Sequence, residues 1–163
     1  MTKILARQSK IKFKLGDVVG IPLPDERFAY ARIYRDFTLA IYEVLTSKLT
    51  SIEPLVDAKI CFFQACTDSA IVSGKWPVIG SFPFRSEEDS WYPPKAVGYL
   101  ATLNEWALGQ PRIRERGLDR AATKEEVAGL AISSFCQRPE LLVDLIVDRL
   151  IHGNHAKYEV PGE

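Results

Sequence analysis

Between Asp17 and Phe82 the chain is cut into five short apolar runs, each closed by turn residues, and this spacing constrains the fold more than any other feature. The runs are Asp17–Leu23, Phe28–Ile33, Thr38–Leu45, Lys59–Cys66 and Trp76–Phe82. The breaks contain Pro24-Asp25-Glu26-Arg27, Arg35-Asp36, Pro54 and Gly74. None of these runs is long enough for a helix of ordinary length, and Phe28–Ile33 alternates. Phe28, Tyr30 and Arg32 fall on one face, Ala29, Ala31 and Ile33 on the other. Small alanines on one face allow another layer to approach closely. Pro22 has no amide to donate, so the first strand should be at an edge or an end there. Lys59–Cys66 is almost wholly apolar and reads as central. Asp68–Gly74 reads as one helical turn, with Asp68 as cap and Gly74 as stop. Val97–Leu103 is a candidate sixth strand.

The last third changes period. Thr123-Lys124-Glu125-Glu126 fits a capping box, and Val127, Leu130, Ala131 and Phe135 recur at helical spacing behind it. Pro139 suits a first helical position, Leu142, Leu145, Ile146 and Leu150 supply a second apolar face, and Gly153 follows as a stop. The fold expected is therefore α+β: a strongly bent, mainly antiparallel sheet or small partial barrel of five to six strands, with two C-terminal helices. As one domain of 163 residues, it divides into a basic arm (1–14), a β-rich core (15–103), a helical pair (123–152) and a polar tail (153–163).

Charge and composition exclude several functions. The chain carries 21 basic and 21 acidic residues, whereas a nucleic-acid binder is expected to show a domain-wide basic excess. Residues 1–35 hold eight Lys or Arg against three acids, and Lys3, Arg7, Lys10, Lys12 and Lys14 read as a solvated arm. No apolar run reaches the ~20 residues of a membrane span, and the first residues lack a secretory h-region of ~7–15 apolar residues. A cytoplasmic location is expected. Cys61, Cys66 and Cys136 then read as reduced, buried thiols, with Cys61 and Cys66 on opposite faces of their strand.

Reactive chemistry is hard to assemble. The two histidines, His152 and His155, straddle a helix stop, and His152 is explained as a partner for the helix dipole. The glycines form no phosphate-cradling loop. Glu87, Glu88 and Asp89 lie in one proline-flanked segment without any sign of a catalytic pair. The expectation is a binding protein with no catalytic residue, no cofactor and no metal. Two aromatic segments stand out, Trp76-Pro77 and Trp91-Tyr92. Trp76 reads as a core plug, while Trp91 and Tyr92 are open to either a core or an interface role.

Gly16-Asp17-Val18-Val19-Gly20-Ile21-Pro22-Leu23 followed by Phe28-Ala29-Tyr30-Ala31-Arg32-Ile33 resembles the opening hairpin of immunity protein family 26. Asp68-Ser69-Ala70-Ile71, Gly74-Lys75-Trp76-Pro77-Val78-Ile79-Gly80 and Pro93-Pro94 resemble its later signature, so the likeness covers roughly residues 15–95. The resemblance implies a bacterial antidote, encoded beside a polymorphic toxin, that blocks the toxin's active site or folding by binding it. It brings no catalytic residue. The matched positions Gly16, Asp17, Pro22, Gly74, Trp76, Pro77 and Gly80 read as skeleton. The expected toxin interface is Glu87, Glu88, Asp89, Trp91 and Tyr92, whose acids would mimic phosphate for a toxin with a basic cleft. The alternative is a nucleic-acid-binding or RNA-cleaving small barrel that uses the basic arm, Arg32, Arg35 and the run Arg112, Arg114, Arg116. Zero net charge disfavours it.

Overall fold

The computed structural model describes residues 9–97 and 111–154. Its main sheet has six strands: β1 (Asp17–Pro22), β2 (Phe28–Ile33), β3 (Thr38–Tyr42), β4 (Ile60–Cys66), β5 (Val78–Ser81) and β9 (Phe135–Cys136), in the order β5-β1-β2-β3-β4-β9. β1 to β4 form an antiparallel meander. β5 does not continue it but returns to pair with β1 on the far side, and β9 joins β4 in parallel. The sheet therefore stays open, ending at β5 and β9, and no barrel closes. Pro22 pairs with Phe28 at the end of β1, where the missing amide costs no ladder bond to β5.

Both faces of this sheet are covered, which is why its strands are apolar throughout. One face buries Val19, Ile21, Ala29, Ala31, Ile33, Leu39, Ile41 and Phe62. Helix α1 (Ser69–Val72) brings Ala70 and Ile71 to the same core, and Leu142 and Ile146 come from a C-terminal helix. The alanines of β2 make room for this layer. The other face buries Val18, Tyr30, Tyr42 and Leu55, with Ile52, Ile79 and Phe82 packed beside them. Each large aliphatic or aromatic side chain so placed contributes about 1.5–3 kcal/mol by leaving water.

The turn before β1 requires Gly16. Its φ is +89°, and a Cβ there would lie 2.6 Å from the Phe82 carbonyl oxygen. Asp17 is buried beside it, its Oδ2 accepting the Lys14 amide at 2.9 Å. Asp68 occupies the cap position of α1, but its side chain accepts no capping hydrogen bond.

A second, three-stranded antiparallel sheet contains β6 (Lys95–Val97), β7 (Arg112–Glu115) and β8 (Leu118–Ala121). The expected strand Val97–Leu103 is thus met only at its first residue, and the rest of it lies outside the described residues. Ala96, Ile113 and Val127 form this sheet's small core.

The expected pair of C-terminal helices is corrected. The capping box is present, with the Glu126 amide donating to Thr123 Oγ1 at 3.2 Å and the Thr123 amide to Glu126 Oε2 at 2.7 Å. The helix it starts, α2 (Lys124–Val127), lasts one turn. Ala128 leaves helical geometry at ψ 127°, and Gly129 turns left-handed at φ +74°. Ile132 then bridges to Ala96, and Phe135 enters β9 and is exposed instead of lining a helix face. The other helix, α3 (Pro139–Ile146), begins at Pro139 and continues as a π-helical turn over Val147–Ile151.

The cysteine geometry is corrected too. A bulge between Ile41 and Tyr42 on β3 leaves Cys61 opposite no residue, so it packs toward the same core as Cys66. Cys66 instead faces Cys136 across the β4–β9 pair. Burial holds the Cys61 thiol above its ordinary pKa.

Candidate functional site

The segment Glu87–Tyr92 folds as a single 3-10 turn, Glu88–Ser90, followed by extended chain. It is fastened from below. Arg35 donates its backbone amide to the Ser90 carbonyl at 3.0 Å and its Nε to Ser90 Oγ at 2.7 Å, while Ser90 Oγ donates to the Glu87 carbonyl at 2.5 Å. The Arg35 guanidinium also lies 5.6 Å from the Trp91 ring centre. Tyr92 points inward and is 4% exposed, with its hydroxyl donating to Asp36 Oδ2 at 3.1 Å. Burial, reinforced by that bond, pushes the Tyr92 pKa up to about 12.

The acids face outward. The side chains of Glu87 and Glu88 are 74% and 73% exposed, and Asp89 is exposed as well. Glu87 stands 3.9 Å from Arg35 and Glu88 3.2 Å from Arg116, and exposed pairs of this kind contribute only about 0–1 kcal/mol. They can be exchanged for cations of another molecule at small cost. Of the five residues expected to form one surface, the three acids and part of Trp91 reach solvent, and Tyr92 supports them from within.

Arg32 is not available to a phosphate backbone. Its Nη2 donates to the Phe82 carbonyl, and its guanidinium carbon lies 3.8 Å from the Phe84 ring centre and 5.6 Å from that of Tyr34. Trp76 is buried in the main core and donates its amide to the Ala70 carbonyl at 3.0 Å. A Cβ on Gly80 would meet Ile52 Cγ2 at 2.5 Å. Pro77 contributes its carbonyl to the Gly20 amide at 2.9 Å. His152 ends the π-helical turn, and His155 lies outside the described residues.

Next to the acidic turn lies a cavity of about 470 Å³ that sequence reasoning did not locate. One wall comes from the main sheet, with Asp36, Phe37 and Thr38 before and in β3, Ala65 of β4, and Phe135 of β9 beside Ser133 and Ser134. The other comes from Tyr92 and the second sheet, with Lys95, Val97, Arg112, Arg114 and Asp119. Asp36 and Phe37 both adopt left-handed backbone, at φ 57° and 54°. Two consecutive non-glycine residues in that region are strained, and the turn is held by the Thr38 amide on the Arg35 carbonyl and by Tyr92 on Asp36. As a result Phe37 projects, 59% exposed, and meets Phe135, 51% exposed, edge-to-face at 6.4 Å.

The charges of this cavity are unequally matched. Arg114 and Asp119 form a two-bond pair, Nε to Oδ1 at 2.7 Å and Nη2 to Oδ2 at 3.0 Å, which holds the Asp119 carboxyl below the ordinary range. Lys95 is 4% exposed, and its Nζ lies 4.7 Å from the Tyr92 ring centre. No hydrogen bond or ion pair to the Lys95 ammonium is present among the described residues. Burial lowers its pKa to about 8, with Asp36 acting in the opposite direction and Arg114 and Arg149 in the same one. The only sequence signals here were indirect: a lysine behind Pro93-Pro94, and arginines alternating with Ile113.

Among the described residues no group of three His, Cys, Asp or Glu could hold a metal ion, and no helix is long and apolar enough to cross a membrane. A family model described as Immunity protein 26 matches residues 14–98, from the turn before β1 to the end of β6. No curated protein and no solved structure matches.

Proposed function

The chain belongs to the immunity protein 26 family, and from that premise we propose that it binds and neutralises a cognate bacterial toxin domain in the cytoplasm of the cell that makes both. It acts by occupancy, with no reactive centre of its own. The observation that carries the choice of surface is the acidic turn: Glu87, Glu88 and Asp89 extend into solvent from a segment fixed by Arg35, Ser90 and Tyr92. Rigid presentation lowers the ordering cost of association. Three carboxylates in one turn speed encounter with a basic surface, such as the substrate cleft of a nuclease, and occlude it.

The test is co-expression with the toxin domain encoded by the adjacent gene. Wild-type chain should rescue growth and co-purify with the toxin. Glu87→Ala, Glu88→Ala and Asp89→Ala combined should slow association about tenfold or more and flatten its salt dependence. A triple variant that associates at the wild-type rate removes this turn from the interface. The nucleic-acid reading is not adopted, because Arg32 is held by the Phe82 carbonyl and the Phe84 ring, and Arg35 is bonded to Ser90 and faces Glu87.

A further inference from the structure

Lys95 is a buried cation that opens on a cavity lined by Asp36 and Asp119 and makes no hydrogen bond or ion pair there among the described residues. Carrying an ammonium into that position is unfavourable, and the Tyr92 ring, 4.7 Å from Nζ, and the Asp36 carboxylate offset its burial only in part. Arg114 is paired with Asp119, and the Asp36 carboxylate accepts from the Tyr92 hydroxyl and acts on Lys95 without forming an ion pair with it. Ser133, whose hydroxyl accepts from Arg114, and Thr38, whose hydroxyl donates to the Asp36 carbonyl, line the same space. Phe37, in its strained turn, and Phe135 stand at the cavity as exposed aromatic contacts.

We propose that this cavity is a carboxylate socket: an aspartate or glutamate side chain of the toxin enters between the two sheets and pairs with the Lys95 ammonium, while Phe37 and Phe135 grip the surface around it. This rests on the toxin-binding reading above and gives that interface a second, oppositely charged anchor beside the acidic turn. A singly charged carboxylate suits the site better than phosphate because Asp36 and Asp119 already line it and would repel a dianion. A desolvated ion pair of this kind sets residence time more than encounter rate.

The isolated chain tests the pocket itself. Titration with sodium acetate at constant ionic strength should produce saturable amide shifts at Thr38, Lys95 and Arg114, and Lys95→Met should abolish them. Phosphate binding more tightly than acetate overturns the carboxylate assignment. The complex tests the partner. Lys95→Met should weaken toxin binding at least tenfold, mostly through faster dissociation. One Asp→Asn or Glu→Gln substitution on the toxin should reproduce that loss without adding to it. Undiminished binding by Lys95→Met, or the absence of any coupled toxin carboxylate, overturns the proposal. Should Lys95→Met fold poorly by circular dichroism, the toxin-side substitutions read the same contact in an unaltered chain. A wild-type chain that does not bind the toxin at all sinks the proposed function instead, and the acetate titration separates the two failures.

Discussion

Tyr92 and Asp36 are joined across 56 positions of sequence by one hydrogen bond, hydroxyl to Oδ2 at 3.1 Å, and this bond ties the acidic turn to the strained corner of the neighbouring cavity. Two proposed contact features, one negative and one positive, thereby share a support. Altering the bond should disturb both.

Tyr92→Phe should cost about 0.5–1.5 kcal/mol in urea unfolding, since it removes the hydrogen bond from the buried Tyr92 hydroxyl to the exposed Asp36. A pH series supplies a second signature. The folded pKa of Tyr92, about 12, lies above its ordinary 10.0, so its contribution is complete below pH 10 and is lost as pH rises toward 12. Tyr42, also raised to about 12 by burial, behaves likewise, so the variant should lose part of the alkaline decline and not all of it.

Lys95→Met should be at least as stable as the wild type at pH 7, judged by thermal unfolding. The folded pKa of Lys95, about 8, lies below the ordinary 10.5. Below pH 8 the folded state carries the full penalty of a buried ammonium, and stability rises as pH climbs from 8 toward 10.5 because only the unfolded chain still binds the proton. The charged groups that act on it are Asp36, Arg114 and Arg149, with Arg112 and Asp119 on the same cavity. The variant should lack this rise.

Trp76→Ala should destabilise the chain by about 3–5 kcal/mol, measured by chemical denaturation, because the indole lies in the largest core cluster among Ala70 and Ile71 of α1. Trp76→Phe should recover a good part of the loss.

Thr123→Ala should cost about 1 kcal/mol, and the loss should be local. Amide exchange should accelerate in α2 and around Val127, with the six-stranded sheet unaffected, because the capping box holds one short turn against the small sheet.

Local pattern made much of the main sheet legible. The turns at Pro24–Arg27 and around Asp36, the alternation of Phe28–Ile33 and the one-turn α1 all follow from residues adjacent in the chain. The helix after Thr123 is shorter than its start signal implies, because a capping box specifies where a helix begins and not how far it runs. Gly129 and the bridge from Ile132 to Ala96 determine its end. β9 has two residues and exists because β4 offers an unpaired edge some 70 positions earlier, a cause invisible in its own sequence. The cavity was missed for the same reason: Asp36, Lys95 and Asp119 meet only through the placement of the second sheet.

The cavity's walls also fall on different sides of the family match, which ends at residue 98. Asp36, Phe37, Tyr92 and Lys95 belong to the shared span, whereas Arg112, Arg114, Asp119 and Phe135 follow it. A relative sharing only that span would inherit half of the enclosure and be free to remodel the other half. On the proposed toxin-binding reading, a change of partner would then fall on the half that follows residue 98, away from most of the sheet that keeps the molecule folded.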